Sequence, residues 1–114
     1  MIKIVNNIIP VNGYKAMTMW PFLFVRNGAR FDEDDERHEK IHGRQQKELI
    51  LILFYLLYFI FWVVGVLRYN NCRMAYRNNP FELEAYTYQD DIYYLSRRKH
   101  YAWVKYIGKT LYNI

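Results

Sequence analysis

The residues of this chain best placed to do chemistry are His38, Glu39 and His42, which stand together as His-Glu-Lys-Ile-His. On a helix, positions four apart differ by about 40° around the axis, so both imidazoles project from one face and can grip a single ion. Glu39 is turned by about 100° from His38, which puts its carboxylate beside that ion and not on it. This is the place for a general base that takes a proton from water polarised by the metal. Two fixed histidines and one glutamate arise by chance in roughly one chain of this size in several hundred, so the pentad needs a helix and a further ligand to carry weight.

A zinc ion on two histidines needs a third protein ligand and an open position. Gln45 and Glu48 follow closely, but on an unbroken helix Glu48 points about 240° away from His42. The remaining candidates are Glu82, Glu84, Asp90 and Asp91, with His100 further on. Asn79 suits an N-cap, Pro80 the first helical position and Glu82 the third, where a carboxylate serves equally well as a cap. Glu84 is about 200° from Glu82 and so leaves its face, whereas Tyr86 and Gln89 share it and could each donate a hydrogen bond to a developing oxyanion.

With these residues in place, the chain resembles the gluzincin zinc metallopeptidases, in which HExxH is followed at a distance by a helix bearing Glu-x-x-Ala. Glu82-Leu83-Glu84-Ala85 is similar to that second element, as found in membrane endopeptidases of the CAAX-processing and heat-shock type. The whole pattern is most similar to short HExxH proteins of Bacteroidetes and their phages. The likeness covers residues 38–48 and 79–89. It implies a zincin-like fold and peptide-bond hydrolysis, with Zn2+ held by His38, His42 and Glu82. Glu39 would then be the general base, Tyr86 the oxyanion donor, and a peptide or protein the substrate. The metzincin variant, whose third ligand follows the second histidine closely beyond a glycine turn, is disfavoured. Where the family has an acid after the alanine this chain has Tyr86, which removes a carboxylate that would orient a zinc histidine.

Positioning such a site falls to a small chain. Its 114 residues allow one domain, 1–114, and 53% hydrophobic with 24% charged residues excludes a disordered tail. Aromatic residues make up 19%, which suits a core or a membrane interface. The lone Cys72 closes no disulfide. Net charge is +5; residues 1–48 hold 8 basic against 7 acidic groups and residues 68–114 hold 8 against 4, a surplus suited to anionic lipid. No nucleic-acid motif is present, and no nucleic acid is expected as partner. Asn6, Asn7 and Pro10 interrupt the first apolar run, so no cleaved targeting segment is expected.

Residues 1–31 alternate short apolar runs with turn residues, as strands or a hairpin do. Pro21 splits Met17–Trp20 from Phe22–Arg26, giving two pieces or one broken edge strand, and residues 16–19 or 22–26 could pair with an extended substrate. Acidic residues 32–36 favour a helix starting near 34, with Asp32, Asp34 or Asp35 as cap. Residues 34–68 then hold the HExxH helix and the uncharged run 49–67, whose nineteen residues would reach about 28 Å, close to a bilayer core. After a linker or short amphipathic turn, residues 79–110 hold the third-ligand helix, apolar at Ala85, Tyr88, Ile92 and Leu95, and a C-terminal helical piece at about 99–107.

These pieces conflict if the apolar run continues straight. His42 and Arg68 would then lie about 39 Å apart, and the 14 steps from Arg68 to Glu82 cover about 46 Å only when fully extended. Metal binding therefore requires the run to fold back. Four cationic residues flank it on one side (Arg37, Lys40, Arg44, Lys47) and three on the other (Arg68, Arg73, Arg77), a balance expected when both ends share one side. Tyr55 and Tyr58 suit a bend with polar contacts, yet no proline marks one and Gly65 comes too late.

The expected fold is therefore mainly α with a small N-terminal β hairpin or edge strand, a minimal zincin-like helical domain containing an apolar helical hairpin. The expected location is membrane-associated through residues 49–67 with the HExxH side cytoplasmic, or else soluble cytoplasmic. Two alternatives stand beside the peptidase: a non-enzymatic, membrane-anchored or interaction protein with a coincidental pentad, and a zincin-like domain that binds metal without cleaving.

Overall fold

The acidic run after Phe31 starts the first helix. Asp32 accepts a hydrogen bond from the Asp35 N–H (2.9 Å) and the Asp35 carboxylate accepts one from the Asp32 N–H (3.1 Å), a reciprocal cap on free amides that Glu33, Asp34 and Glu36 reinforce through the helix dipole. In the computed structural model, which describes residues 1–10 and 12–113, helix α1 runs Glu33–Glu48. It buries His38, Ile41, His42, Gln45 and Gln46 along one side.

The reversal that metal binding requires lies in the first residues of the apolar run and not in its middle. After Leu49 the chain turns through Ile50 and Leu51, both at φ 52°, before α2 begins at Ile52 and continues unbroken to Tyr69. The Leu51 N–H bonds to the Gln46 carbonyl (2.7 Å) and the Ile50 N–H reaches the Lys47 carbonyl (3.5 Å). This is the six-to-one and five-to-two pattern that ends helices on a left-handed residue. Glycine or asparagine normally fills that position because a Cβ strains it; here it is isoleucine, and the fold-back expected of residues 49–67 falls at 50–51, so the expected apolar helical hairpin is corrected to one unbroken helix after that turn.

Two further elements return the chain to α1. Helix α3, Cys72–Arg77, stands where a linker or short amphipathic turn was expected and runs back along α2; a Cβ on Gly65 would stand 3.0 Å from both Ala75 Cα and Cβ, so the bare glycine sets how near the two helices come. Asn79 then donates to the Tyr58 carbonyl and caps α4, Pro80–Tyr88, by accepting from the Phe81 N–H (3.1 Å). The expected amphipathic continuation to Leu95 does not form. The chain leaves the helix at Tyr88, Ile92 is 66% exposed, and a short α5, Tyr94–Arg97, follows. The piece expected at 99–107 is a 3-10 turn, Ala102–Tyr106, which carries Trp103 onto Phe81 and Phe61.

Three strands precede the helices: β1 (Ile2–Asn6), β2 (Ala16–Met19) and β3 (Phe22–Arg26), in the order β1-β3-β2. β1 runs parallel to β3, pairing Ile4 with Phe24, and β2 and β3 form an antiparallel hairpin around Trp20-Pro21, pairing Thr18 with Leu23. Residues 22–26 are therefore the central strand, and of the two stretches expected to pair with a substrate 16–19 is the one at an edge. Part of that edge is already occupied: Gln46 accepts from the Trp20 N–H (2.7 Å) and donates to the Thr18 carbonyl (2.8 Å), as a neighbouring strand would. Leu23, Val25 and Thr18 are buried, and Thr18 touches α1. The fold is mainly α with a small N-terminal sheet.

Candidate metal centre

α1 presents His38 and His42 one turn apart, and the return through α3 brings the first turn of α4 against them. Glu82 Oε1 lies 3.1 Å from the Nε2 of each histidine, and the two Nε2 atoms are 3.2 Å apart. All three side chains are buried. Donor atoms about 2.0–2.1 Å from a tetrahedral ion stand roughly 3.3 Å from one another, so this triangle has the dimensions of three corners of such a site. The three residues form a group that could hold a metal ion.

Glu82 does not act as the helix cap its position allowed. Its Oε1 faces the histidines and its Oε2 accepts from the Tyr58 hydroxyl (2.7 Å), while the Asn79 N–H is taken by the Tyr76 carbonyl (3.2 Å). Glu84, Asp90, Asp91 and His100 lie outside the group. Glu84 belongs to a buried network, Asp90 and His100 are exposed, and Asp91 pairs with Arg97.

The outer nitrogens of both rings are held by amides. Gln45 donates through Nε2 to the Phe81 carbonyl and to Glu84 (both 3.0 Å), which turns its Oε1 toward His42; the His42 Nδ1–H donates there at 2.8 Å. That bond commits the proton to Nδ1 and leaves Nε2 to face Glu82 and His38. Glu84 in turn accepts from the Tyr94 hydroxyl and from Arg98, whose guanidinium also spans Glu48 (2.9 and 3.0 Å). His38 Nδ1 meets Gln89 Oε1 at 2.8 Å. Gln89, a candidate oxyanion donor by sequence, is thus engaged in orienting a histidine. The orienting partner of His42 is thus Gln45, backed by Glu84 and Arg98.

Electrostatics couple the inner three. Burial alone would lower the pKa of His42, but the Glu82 carboxylate more than reverses this and raises it to about 9. Burial likewise acts to raise the Glu82 carboxyl, and the pull of His42 with the hydrogen bonds of both histidines holds it well below the usual range. Without metal, a proton shared in the cluster balances the buried carboxylate. A divalent cation would displace it.

Glu39 stands outside the triangle on the cleft side. Its Oε1 accepts from the Thr18 hydroxyl at 2.8 Å, so β2 fixes the carboxylate from above. Together with His38, Gln89, Tyr76, Tyr86, Ala16 and Lys15 it lines a cleft of about 390 Å³. The Tyr86 ring packs edge-on against His38 with centroids 4.3 Å apart, and its hydroxyl is 3.3 Å from that of Tyr76. Burial raises the pKa of both phenols, which keeps their protons available for donation. Tyr58, Tyr76 and Thr18 were absent from the sequence-derived site; only the mid-run position of Tyr58, odd for a lipid-facing residue, hinted at a polar partner.

No protein-family model, curated protein or solved structure matches this chain.

Proposed function

We propose that this protein is a zinc-dependent metallopeptidase of the gluzincin type, with His38, His42 and Glu82 as metal ligands and Glu39 as general base. The observation that supports this most is the convergence of three buried donors at tetrahedral spacing beside a cleft that also contains Glu39. When bound, the zinc ion supplies Lewis acidity, polarising a peptide carbonyl and acidifying water.

The chain's own residues account for the rest. Gln45 and Gln89 hold the imidazoles in the orientation that points Nε2 inward. Thr18 holds one oxygen of Glu39, and the other is the one assigned to take the proton from water and pass it to the leaving amine. Tyr86, which lines the cleft with Tyr76 beside it, is the residue assigned to donate toward negative charge developing on the carbonyl oxygen. A substrate strand can pair with β2 at Ala16. Thr18 sends its carbonyl away from β3, and by the two-residue alternation of a strand so does Ala16, which lines the cleft.

Helix α2, Ile52–Tyr69, is long and apolar enough to cross a membrane by length and composition, and only 11% of it is buried in the fold. This favours membrane association of the peptidase through residues 49–67, with the HExxH side cytoplasmic. Glu39→Gln separates the enzyme from a metal-binding relative without activity. It should keep zinc and lower cleavage of an unstructured peptide library by at least about 10²-fold. Zinc-loaded wild type that cleaves nothing, or a variant equally active, overturns the peptidase.

A further inference from the structure

We infer that α2 lies flat in the headgroup boundary of an anionic bilayer and does not cross it. This rests on the reading that residues 49–67 meet a membrane, and adds the orientation and the lipid class.

The exposed apolar residues of α2 form one stripe. Ile52, Leu56, Phe59, Ile60, Val64 and Leu67 are 44–80% exposed and recur at intervals of one to four, all within about 140° of arc. The opposite side, through Phe54, Tyr58, Phe61 and Gly65, is covered by α3, α4 and Trp103. No polar side chain interrupts the stripe over its roughly 22 Å length. Its apolar area is on the order of 700 Å², above the 300–600 Å² of the largest patch on a typical soluble monomer.

What covers it follows from charge and packing. Between Glu48 and Glu82 the chain has three arginines and no acid; Lys47, its ammonium over the Trp20 ring, sits at the turn that precedes the stripe, and Arg68, which also donates to the Gly108 carbonyl, sits at its far end. In a dimer built on α2, antiparallel helices would set Lys47 of one copy against Arg68 of the other, and parallel helices would set each against itself. Cations meet cations either way, whereas anionic headgroups complement both ends. Trp62 packs with Phe59 beside the stripe, an amphipathic ring suited to that boundary.

Crossing is excluded by what α2 carries. Arg73 and Arg77 on α3 lie alongside its C-terminal half, and Glu82 with His42 alongside Phe54 and Tyr58. A spanning α2 would draw these to the depth of the hydrocarbon. Lying flat, α2 sinks about 5–10 Å, and the metal centre stays on its far side, roughly one helix diameter from the lipid.

The test uses the full chain with Cys72→Ser and a nitroxide on Leu53→Cys, Ile60→Cys or Leu67→Cys. These share one face over about 21 Å. On vesicles of phosphatidylcholine with a third phosphatidylglycerol, all three labels should sit at the same shallow depth within a few ångströms. Binding should weaken at least tenfold on pure phosphatidylcholine, and at least tenfold in Leu56→Glu/Phe59→Glu, whose zinc content and circular dichroism should be unchanged. A shallow-deep-shallow profile would overturn the flat orientation while leaving the membrane reading in place. No association with either vesicle, or a stable dimer in its place, would overturn both.

Discussion

Ile50 offers a test of the turn that allows His42 and Glu82 to meet. At φ 52° and 82% exposed, it is held in a left-handed position that a Cβ strains by about 1–2 kcal/mol. Comparing Ile50→Gly with Ile50→Ala removes the isoleucine side chain from both proteins and leaves only the Cβ between them. In the turn, glycine relieves the strain but gives back about 0.5–1 kcal/mol through its freer unfolded chain, so it should be the more stable variant by about 0.5–1 kcal/mol. Were residues 49–51 helical, the order would invert, because glycine is about 1 kcal/mol poorer than alanine inside a helix. The two arrangements thus differ by roughly 2 kcal/mol and in sign. Urea unfolding of both variants, followed by far-ultraviolet circular dichroism in chelator, reads this directly, and melting points should differ by about 2–5 °C. An alanine variant more stable than the glycine variant would refute the turn.

Two further outcomes follow from the centre. Gln45→Leu leaves the His42 Nδ1–H without its partner and takes one of the donors away from Glu84, and should weaken zinc binding by about 10- to 100-fold in a chelator competition. Without metal, stability should depend on pH in a defined direction. His42, raised from 6.5 to about 9, stabilises the fold fully below pH 6.5 and loses this as pH rises through 9, on the order of 3 kcal/mol. Glu82, depressed from 4.5, stabilises above that pH and loses it as pH falls, so the metal-free protein should be most stable between about 4.5 and 6.5 and the gain from added zinc should grow from pH 6.5 to 9. A flat or rising stability of the metal-free protein over that upper range, measured by urea midpoints, would contradict the His42–Glu82 coupling.

The sequence made some of this legible because the signals were local. HExxH spacing, the acidic start of α1, Asn79-Pro80 at the start of α4, and the turn residues before Phe31 each carry their own chemistry, and the helical character with a small N-terminal sheet followed from them. The reversal was hidden because Ile50 occupies the place where glycine would have announced it. The early end of α4 was hidden because Ile92 and Leu95 kept the helical spacing, while Asp91 and Arg97 pair across the turn outside the helix. The support around the histidines was hidden for a different reason. Gln45 takes the orienting role of a carboxylate only through Glu84 and Arg98, 39 and 53 residues further on, and Tyr58 reaches Glu82 only once α3 has returned the chain.

The central claim is that His38, His42 and Glu82 hold one divalent ion. Zinc content after equilibration and dialysis measures it most directly, comparing wild type with the isosteric Glu82→Gln. Wild type should retain about one equivalent and the variant well under half. Wild type below half an equivalent, or a variant that keeps as much zinc as wild type, would contradict the account.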